Sequence, residues 1–433
     1  MDNILDQAKK VAEEAEVFMV SSEEIPVQFE ANSLKHIQSK WSSNMALRIV
    51  RQGKIGYATA TELGNNQDLV SNAVESAQFG MPAKFELPSL TAYPQVETYD
   101  TNIESVSLEK MIGLGEELIA MIRDHTPDIV CEAGVTKSVI SVRIINSRGG
   151  QAKYRKSIFN LGIEGNLIRD TDMLFVGESE SSCHPLLETR TITKAVCQQL
   201  ELAKCQASVS SHSLPVIFTP NGVASALILP LMVAFNGKTV LEGASPIGNR
   251  LGQQVFDEKL WLWDDPTIAY FPGSRPCDDE GIPSQRTLLI EHGAVANFLY
   301  DLQTSARAHT QSTGNGSRGR SELPTPLPSA FTIAPGKTSL DEMVNDIKEG
   351  LVIEQLMGAT QGNILSGDFS GNVLLGYKVK SGKIVGRVKN TMVSGNIYQI
   401  LKQITAIGSE TKWVSNFLNT PPLYCPSLSV ANK

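Results

Sequence analysis

Apolar and polar positions repeat with two periods along the first half of the chain. Three segments place apolar residues at helical spacing: 4–15, 66–79 and 107–123. The second has Asn65 or Asn66 as its predicted N-cap, and the third begins with Ser-Leu-Glu-Lys, which resembles a capping box. Residues 48–61 alternate on both sides of Gln52-Gly53. This pattern predicts a β-hairpin, because a tight turn requires positive φ at such a dipeptide.

Alternation continues beyond the third helix and dominates the rest of the chain. Residues 129–175 form several short alternating runs broken at 147–150, Gly162, Gly165 and Asp170, which predicts an antiparallel meander. A helix is expected at 187–207. In the second half, hairpins are predicted at 291–293 and 381–382, and helical insertions at 222–235, 339–349 and 396–404.

This pattern predicts an α+β protein with two parts. A polar stretch after Cys205 precedes an apolar strand at 214–219, so we place a boundary near residue 210. Residues 1–209 form an N-terminal region of helices and a β-meander, with a candidate sub-boundary at the connector 81–105. Residues 210–433 form a β-rich, barrel-like domain. A chain of 433 residues suits two or three cores, since single cores split beyond ~250 to 300 residues.

Composition narrows the class of function. The formal net charge of −8 and the pI near 5.4 give no electrostatic drive toward nucleic acid. Arg318 and Arg320 form too short a basic patch to outrank a solvated loop. The six cysteines include no CxxC and are interpreted as reduced thiols. The N-terminus is an amphipathic helix without a secretory signal, so we expect a cytoplasmic protein. Prolines and amides interrupt the uncharged run 213–237, which argues against a membrane span.

Direct reading finds no conventional zinc-peptidase motif. Such an enzyme places two histidines and a glutamate on one helical face, and the segment 222–235 contains neither residue type. The six histidines include no pair at metal-binding helical spacing. His184 and Glu188 could supply ligands, but a capping or surface role is favoured. Cys425 is either a nucleophile or, as is more common for a lone thiol, a packing residue.

Two loops contain polar groups in patterns that bind ligands. Asp278, Asp279 and Glu280 precede a Gly-x-Pro turn, and we favour a turn whose carboxylates accept backbone N–H bonds over a cation site. The glycine-rich segment 313–319 could wrap an anion or a peptide backbone with its N–H groups. It lacks the lysine of a phosphate-binding loop, so a plain mobile loop is favoured.

Four segments, in order and spacing, resemble the TldD/PmbA family, once labelled "modulator of DNA gyrase". They are CDDEGIPSQRTLLIEHGAVANFLYDLQTSARAHTQSTGNG at 277–316, GLVIEQLMG at 350–358, ILSGDFSGNVLLGYKVKSGKI at 364–384 and AIGSE at 406–410. The N-terminal half is similar more loosely. The polar, proline-rich segment 317–326 departs from the family pattern.

The resemblance implies a function within peptidase chemistry. Members of the TldD branch carry a zinc-binding HExxxH on the helix that opens the C-terminal domain, where this sequence has Ala-Leu-Ile-Leu-Pro-Leu at 226–231. The segment 354–358 looks like the PmbA/TldE branch, which is understood as the metal-free partner of a TldD-like subunit. The expectation is therefore a chain without metal or catalytic residues, which shapes a peptide-binding cavity beside a zinc-bearing partner or a second copy of itself. Expected substrate contacts are Asp279, Glu280, Gly281, Thr313, Gly314, Asn315 and Gly316.

Two other classes of function stay open at this level. One is a self-sufficient hydrolase that uses an unrecognised site, for instance Asp278, Asp279, Glu280 or Cys425. The other is a non-enzymatic, self-associating peptide-binding protein.

Overall fold

The computed structural model describes residues 1–61, 66–170, 172–319 and 322–432, and the side chains of residues 66 and 67 are not described. Helices contain 21% of the residues and strands contain 42%. The second half contains a closed five-stranded barrel. The predicted α+β class with a barrel-like C-terminal domain is confirmed. None of the helices in the described ranges is long and apolar enough to cross a membrane.

The first half contains a long sheet and five helices among its described residues. The helices are α1 (Asp2–Ala8), α2 (Asn66–Ala77), α3 (Asn102–Ser105), α4 (Leu108–His125) and α5 (Arg190–Leu202). The strands are β1 (Glu14–Glu30), β2 (Ser33–Ile37), β3 (Lys40–Arg51), β4 (Lys54–Ala60), β5 (Val130–Asn146), β6 (Gln151–Arg169) and β7 (Asp172–Ser182). They form an antiparallel sheet in the order β4-β3-β1-β5-β6-β7, with β2 paired to the end of β1.

The two faces of this sheet are covered differently. Helices α1 and α2 pack on one end of one face, and α4 and α5 pack on the other end of that face with part of the second half. On the opposite face, the loop that contains Cys277 packs against Phe18, Ile144 and Ala152. That loop belongs to the C-terminal half, so the C-terminal half contacts both faces of the sheet.

Two local predictions in this half are confirmed: the turn at Gln52-Gly53 and the helix start at Ser107. Gln52 and Gly53 have φ of 51° and 69° between β3 and β4. Ser107 caps α4, because its hydroxyl accepts a bond from the Lys110 N–H at 3.2 Å. The predicted N-cap of α2, Asn65 or Asn66, lies outside the described side chains.

Two predictions about the length of elements are wrong. The first helix ends at Ala8 rather than residue 15, because β1 begins at Glu14 and pairs with two strands. The meander has three long strands rather than several short ones, since β6 pairs on both sides through Gly162 and Gly165. A Cβ at Gly165 would lie 2.5 Å from an Ile129 carbon, so the glycine permits close packing and does not break the strand.

The second half is built mainly from short strands. Its strands are β8 (Gln206–Ala207), β9 (His212–Phe218), β10 (Leu262–Asp264), β11 (Thr287–Glu291), β12 (Ala294–Val295), β13 (Gly316–Ser317), β14 (Thr325–Pro326), β15 (Phe331–Ile333), β16 (Glu349–Met357), β17 (Asp368–Lys380), β18 (Lys383–Val388), β19 (Thr391–Asn396), β20 (Ala406–Ile407), β21 (Lys412–Val414), β22 (Leu418–Thr420) and β23 (Leu423–Asn432). Its helices are α6 (Pro220–Ala226), α7 (Ile228–Ala234), α8 (Gly237–Leu241), α9 (Leu302–Arg307), α10 (Leu340–Asp346) and α11 (Ile397–Ile400).

The barrel closes because β16, the first strand in the order, also pairs with β17, the last. The order β16-β9-β23-β19-β17 returns to β16 through the pairing of β16 with β17. A second sheet, β12-β11-β10-β15-β22-β21, packs on the same core, which also contains Phe218, Phe331 and Phe369. Strand β8 pairs with β18 of the C-terminal sheet, so the chain changes sheets between α5 and β8. The domain boundary near residue 210 stays a prediction.

Candidate functional site

The acidic turn and the glycine-rich loop, separated in sequence, lie against each other in the fold. The Gly316 N–H donates to Asp278 Oδ2 at 2.8 Å, and the Asp279 N–H donates to the Gly316 carbonyl at 3.0 Å. A Cβ on Gly316 would lie 2.6 Å from Glu280 Oε2, so this approach requires glycine. The structure thus brings the two predicted loops together as one unit.

The turn itself is organised by Asp278. Its Oδ1 accepts bonds from the N–H groups of Glu280 and Ile282, both at 2.9 Å. Gly281 has φ of 75°, a conformation that glycine adopts without steric cost, and its carbonyl accepts a bond from the Tyr93 hydroxyl at 3.2 Å. The favoured interpretation, in which a carboxylate accepts backbone N–H bonds, is confirmed for Asp278.

The glycine-rich loop is held by protein groups rather than left free. Thr313 Oγ1 accepts a bond from the Tyr300 N–H at 2.8 Å, and the Asn315 side-chain amide donates to Asp264 Oδ2 at 2.7 Å. Residues 313–316 are buried, and a Cβ on Gly314 would meet the Pro283 carbonyl oxygen at 2.7 Å. The prediction of a plain mobile loop is therefore wrong, because the loop packs into the acidic turn.

Glu280 connects this unit to the N-terminal sheet. Arg48 on β3 donates to Glu280 Oε1 at 2.5 Å and to Glu16 Oε2 at 3.1 Å. Glu16 lies directly opposite Arg48 on the neighbouring strand β1, and its other oxygen pairs with Arg318. The second oxygen of Glu280 accepts the Leu302 N–H at the start of α9, at 2.7 Å. These groups form a charged network that joins the two halves of the molecule.

The network is fully enclosed. The side chains of Glu16 and Glu280 are 0% exposed, and those of Arg48 and Arg318 are 3% and 2% exposed. Burial raises the pKa of Glu280, and the neighbouring carboxylates add to that shift while Arg48 opposes it. Burial opposes the charge of Arg48, but Glu16 and Glu280 raise its pKa. Each charge is therefore stabilised by its ion-pair partners rather than by water.

The seven predicted substrate contacts thus occupy an interdomain junction. Substrate binding by Asp279, Glu280, Gly281 and residues 313–316 stays a prediction, and the contacts observed for these residues are with protein groups. Arg318 was predicted to lie in a solvated loop, and that prediction is wrong. It pairs with Glu16, and its backbone N–H donates to Asp279 Oδ2 at 2.8 Å.

Sequence reasoning missed the two charged residues that the N-terminal half contributes. Glu16 interrupts the apolar run Ala-Glu-Val-Phe, and Arg48 interrupts Leu-Arg-Ile-Val. A charge inside a buried strand run signals an internal partner, because unpaired buried charges are costly. The sequence therefore indicates that Glu16 and Arg48 have internal partners, but it does not identify those partners.

The stretch that corresponds to the zinc helix of the TldD branch lies in the core. Ala226, Leu227, Ile228 and Leu231 are at most 3% exposed, and the helix breaks at Leu227 between α6 and α7. Within the described ranges, no group of three His, Cys, Asp or Glu side chains is placed to hold a metal ion. The side chains at 226–231 are all hydrocarbon, so this stretch does not fit a zinc site.

The remaining candidates for chemistry have other partners. Cys425 is 0% exposed on β23, and burial raises its pKa to about 12. The thiols of all six cysteines are free. His184 Nδ1 lies 2.7 Å from Asp100 Oδ2, so the imidazole pairs with an aspartate of the connector instead of Glu188.

Comparisons with known proteins agree with this architecture. Family models described as PmbA/TldA metallopeptidase C-terminal domain and domain 1 match residues 211–432 and 15–77. An uncharacterized protein of Methanocaldococcus jannaschii is 30% identical over 412 residues and 93% of each chain. The metalloprotease PmbA homolog of Haemophilus influenzae is 24% identical, over 95% of this chain and 91% of its own. TldE from Thermococcus kodakarensis has the same fold, with a TM-score of 0.90, 21% identity and 100% coverage of both chains.

Proposed function

This chain belongs to the TldD/PmbA family, and from that premise we propose that it is the metal-free, non-catalytic subunit of a two-subunit zinc protease. Its partner would be a TldD-like homologue that carries HExxxH and the zinc ion. In this complex the chain completes the wall of the cavity that receives unfolded or small peptide substrates.

One observation carries the proposal. In a family described as metallopeptidases, the helix that should hold the metal is apolar core in this chain, with Ala226 and Leu231 each 1% exposed. A zinc ion requires nitrogen, sulfur or oxygen ligands, and this segment provides only hydrocarbon side chains. The fold is nevertheless retained over the full length, which favours a structural role beside a catalytic homologue.

An exposed sheet edge offers a route for peptide recognition. Strand β2 pairs with β1, and all five of its residues, Ser33–Ile37, are exposed. Leu34 is 43% and Ile37 is 37% exposed, so the edge presents apolar side chains together with backbone groups. An extended peptide that added to this edge would be recognised by main-chain hydrogen bonds. Such recognition tolerates many sequences, as a protease of unfolded chains requires.

Two measurements test the role of the subunit. Zinc content of the chain purified alone, without chelators, is expected to be far below one ion per chain. Mixing it with the HExxxH-bearing homologue from the same genome is expected to give a stable complex in analytical ultracentrifugation. One zinc per chain in the isolated protein, or no association with the homologue, would contradict the proposal.

The rival hydrolase receives no support from the geometry. The thiol of Cys425 is buried and its pKa is raised to about 12, so it is neither accessible nor ionised at neutral pH. Asp278 and Glu280 are 0% exposed and bonded to backbone N–H groups or arginine.

A further inference from the structure

A cavity of about 380 Å³ lies at the surface of the second half. Its walls come from residues 246–255, from Ser366 and from residues 396–402, which include the corner between β19 and α11. None of the residues of the charged interdomain network lines it. Ligand sites in proteins have volumes of about 300–1,000 Å³, so this cavity has room for a small molecule.

The walls of the cavity are tied to one another by hydrogen bonds. The Asn396 side-chain amide donates to the Ser366 carbonyl at 2.8 Å, and its oxygen accepts from the Tyr398 N–H at 3.1 Å. The Asp257 N–H donates to the Leu401 carbonyl at 2.8 Å, which joins the end of the first wall to the end of α11. The cavity is therefore formed before a ligand arrives, and such preorganisation lowers the cost of binding.

The charge of the lining favours an anion. Arg250 and Lys402 line the cavity, and no acidic side chain in the described ranges does so. The chain as a whole has 46 acidic and 38 basic residues, so composition alone would not give such a lining. Two acidic residues close in sequence to the walls have other partners: Asp368 accepts a side-chain amide at 2.8 Å, and Asp257 pairs with Lys259 at 3.1 Å.

The two cations keep most of their donors available. Arg250 makes one side-chain hydrogen bond, from Nη1 to Gln253 Oε1 at 3.0 Å. The Lys402 ammonium is exposed and has no hydrogen-bond or ion-pair partner in the part of the chain that the structure describes. A phosphate monoester has three terminal oxygens and nearly two negative charges at neutral pH. It matches a guanidinium fork and an ammonium together better than a carboxylate does, with its two oxygens and single charge.

Three glutamines beside the cations fit the rest of such a ligand. Gln253, Gln254 and Gln399 line the cavity, and an amide both donates and accepts, as hydroxyl groups require. The Gln254 amide nitrogen donates to the His292 carbonyl at 2.8 Å, which leaves its oxygen to accept. The Gln399 side chain has no hydrogen-bond partner among the described residues. The part of the ligand beyond the phosphate should therefore carry several hydroxyls.

We propose that this cavity binds a phosphorylated sugar or polyol. Arg250 and Lys402 hold the phosphate, and the three glutamines bind the hydroxyls. This binding is a property of the chain by itself and does not depend on its role beside a catalytic homologue.

The test is isothermal titration calorimetry of the full chain with four probes, in about 0.15 M salt so that long-range surface charge is screened. The probes are glucose 6-phosphate, glucose, inorganic phosphate and succinate, whose two carboxylates are separated. We expect glucose 6-phosphate to bind most tightly. Inorganic phosphate should bind about tenfold more weakly, because it lacks the hydroxyl contacts, and glucose and succinate should not bind measurably.

Variants assign the binding to the cavity. Arg250→Met and Lys402→Met should each weaken glucose 6-phosphate about tenfold, because each removes charge-assisted hydrogen bonds. Arg250→Lys and Lys402→Arg keep the charge and should retain most of the affinity. Lys383→Met is the matched control, because Lys383 on β18 is also exposed and has no ion-pair partner in the described ranges. It should leave the affinity unchanged.

Each other outcome overturns a stated part of the inference. Glucose that bound as tightly as its phosphate would contradict an anion site, and succinate that did so would assign the cations to carboxylates. Inorganic phosphate that bound as tightly as the sugar phosphate would contradict the role of the glutamines. Unchanged affinity in both methionine variants would place the ligand elsewhere, and no binding of any probe at millimolar concentration would remove the site.

Discussion

Replacing Arg48 with methionine should break the charged network that joins the two halves. The substitution keeps much of the side-chain length but removes the bonds to Glu280 at 2.5 Å and to Glu16 at 3.1 Å. Glu16 would keep Arg318, and Glu280 would keep the Leu302 N–H, with both carboxylates still 0% exposed. Removing one partner of a buried pair costs about 3–5 kcal/mol, so we expect R48M to lose that much stability.

The assay is equilibrium urea unfolding, followed by tryptophan fluorescence and far-ultraviolet circular dichroism. Arg143→Met is the control, because Arg143 is on the same sheet and pairs with Asp2 at 3.1 Å, but the two side chains are 44% and 73% exposed. Exposed pairs contribute about 0–1 kcal/mol, so this variant should change little. The double variant R48M/E280Q should recover part of the loss, since a neutral amide replaces the uncompensated carboxylate.

Two results would refute this reasoning. A loss below about 1 kcal/mol in R48M would mean that the buried charges are hydrated or protonated and need no arginine. A loss as large as expected, with no recovery in R48M/E280Q, would assign the effect to packing rather than to charge.

Three further predictions follow from single residues. Gly316→Ala should lower the free energy of unfolding by about 1–3 kcal/mol, because its Cβ would meet buried carboxylate oxygens at 2.6 and 3.0 Å. The control Gly113→Ala, which has open space on α4, should raise it by about 0.5–1 kcal/mol. Urea midpoints that shifted in the same direction in both variants would contradict this prediction. A thiol reagent should label exposed Cys205 in the native protein and Cys425 only after unfolding, and mass spectrometry showing native labelling of Cys425 would reopen a nucleophilic role. Because burial lowers the pKa of Lys156 to about 8 from the ordinary 10.5, the folded protein holds that proton less tightly, so stability should rise from about pH 8 to 10.5; an equally steep rise in Lys156→Met would assign it to other groups.

Sequence patterns predicted the parts of the fold that local chemistry decides. The hairpin at Gln52-Gly53, the hairpin at 381–382 and the N-cap at Ser107 each depend on a few adjacent residues. All three are confirmed, because positive φ and N-cap geometry are set within one turn. The two motif loops were also recognised, and both prove to belong to one junction.

Sequence patterns did not predict the features of the fold that depend on contacts between distant segments. Glu280 and Arg48 are 232 positions apart, and a partner at that separation depends on the packing of the two halves. The lengths of β1 and β6 were missed for the same reason, since strands that pair on both sides continue through glycines and polar residues. The local propensity at those positions is overridden by the neighbouring strands.

The most direct test of the account is the rate at which the HExxxH-bearing homologue cleaves an unfolded protein with and without this chain. We expect little cleavage by either subunit alone, and a large increase when the two are mixed in equal amounts. The increase should disappear when the HExxxH glutamate of the homologue is replaced by glutamine. An unchanged rate on addition of this chain would contradict the central claim, as would cleavage by this chain alone that survives exhaustive chelation.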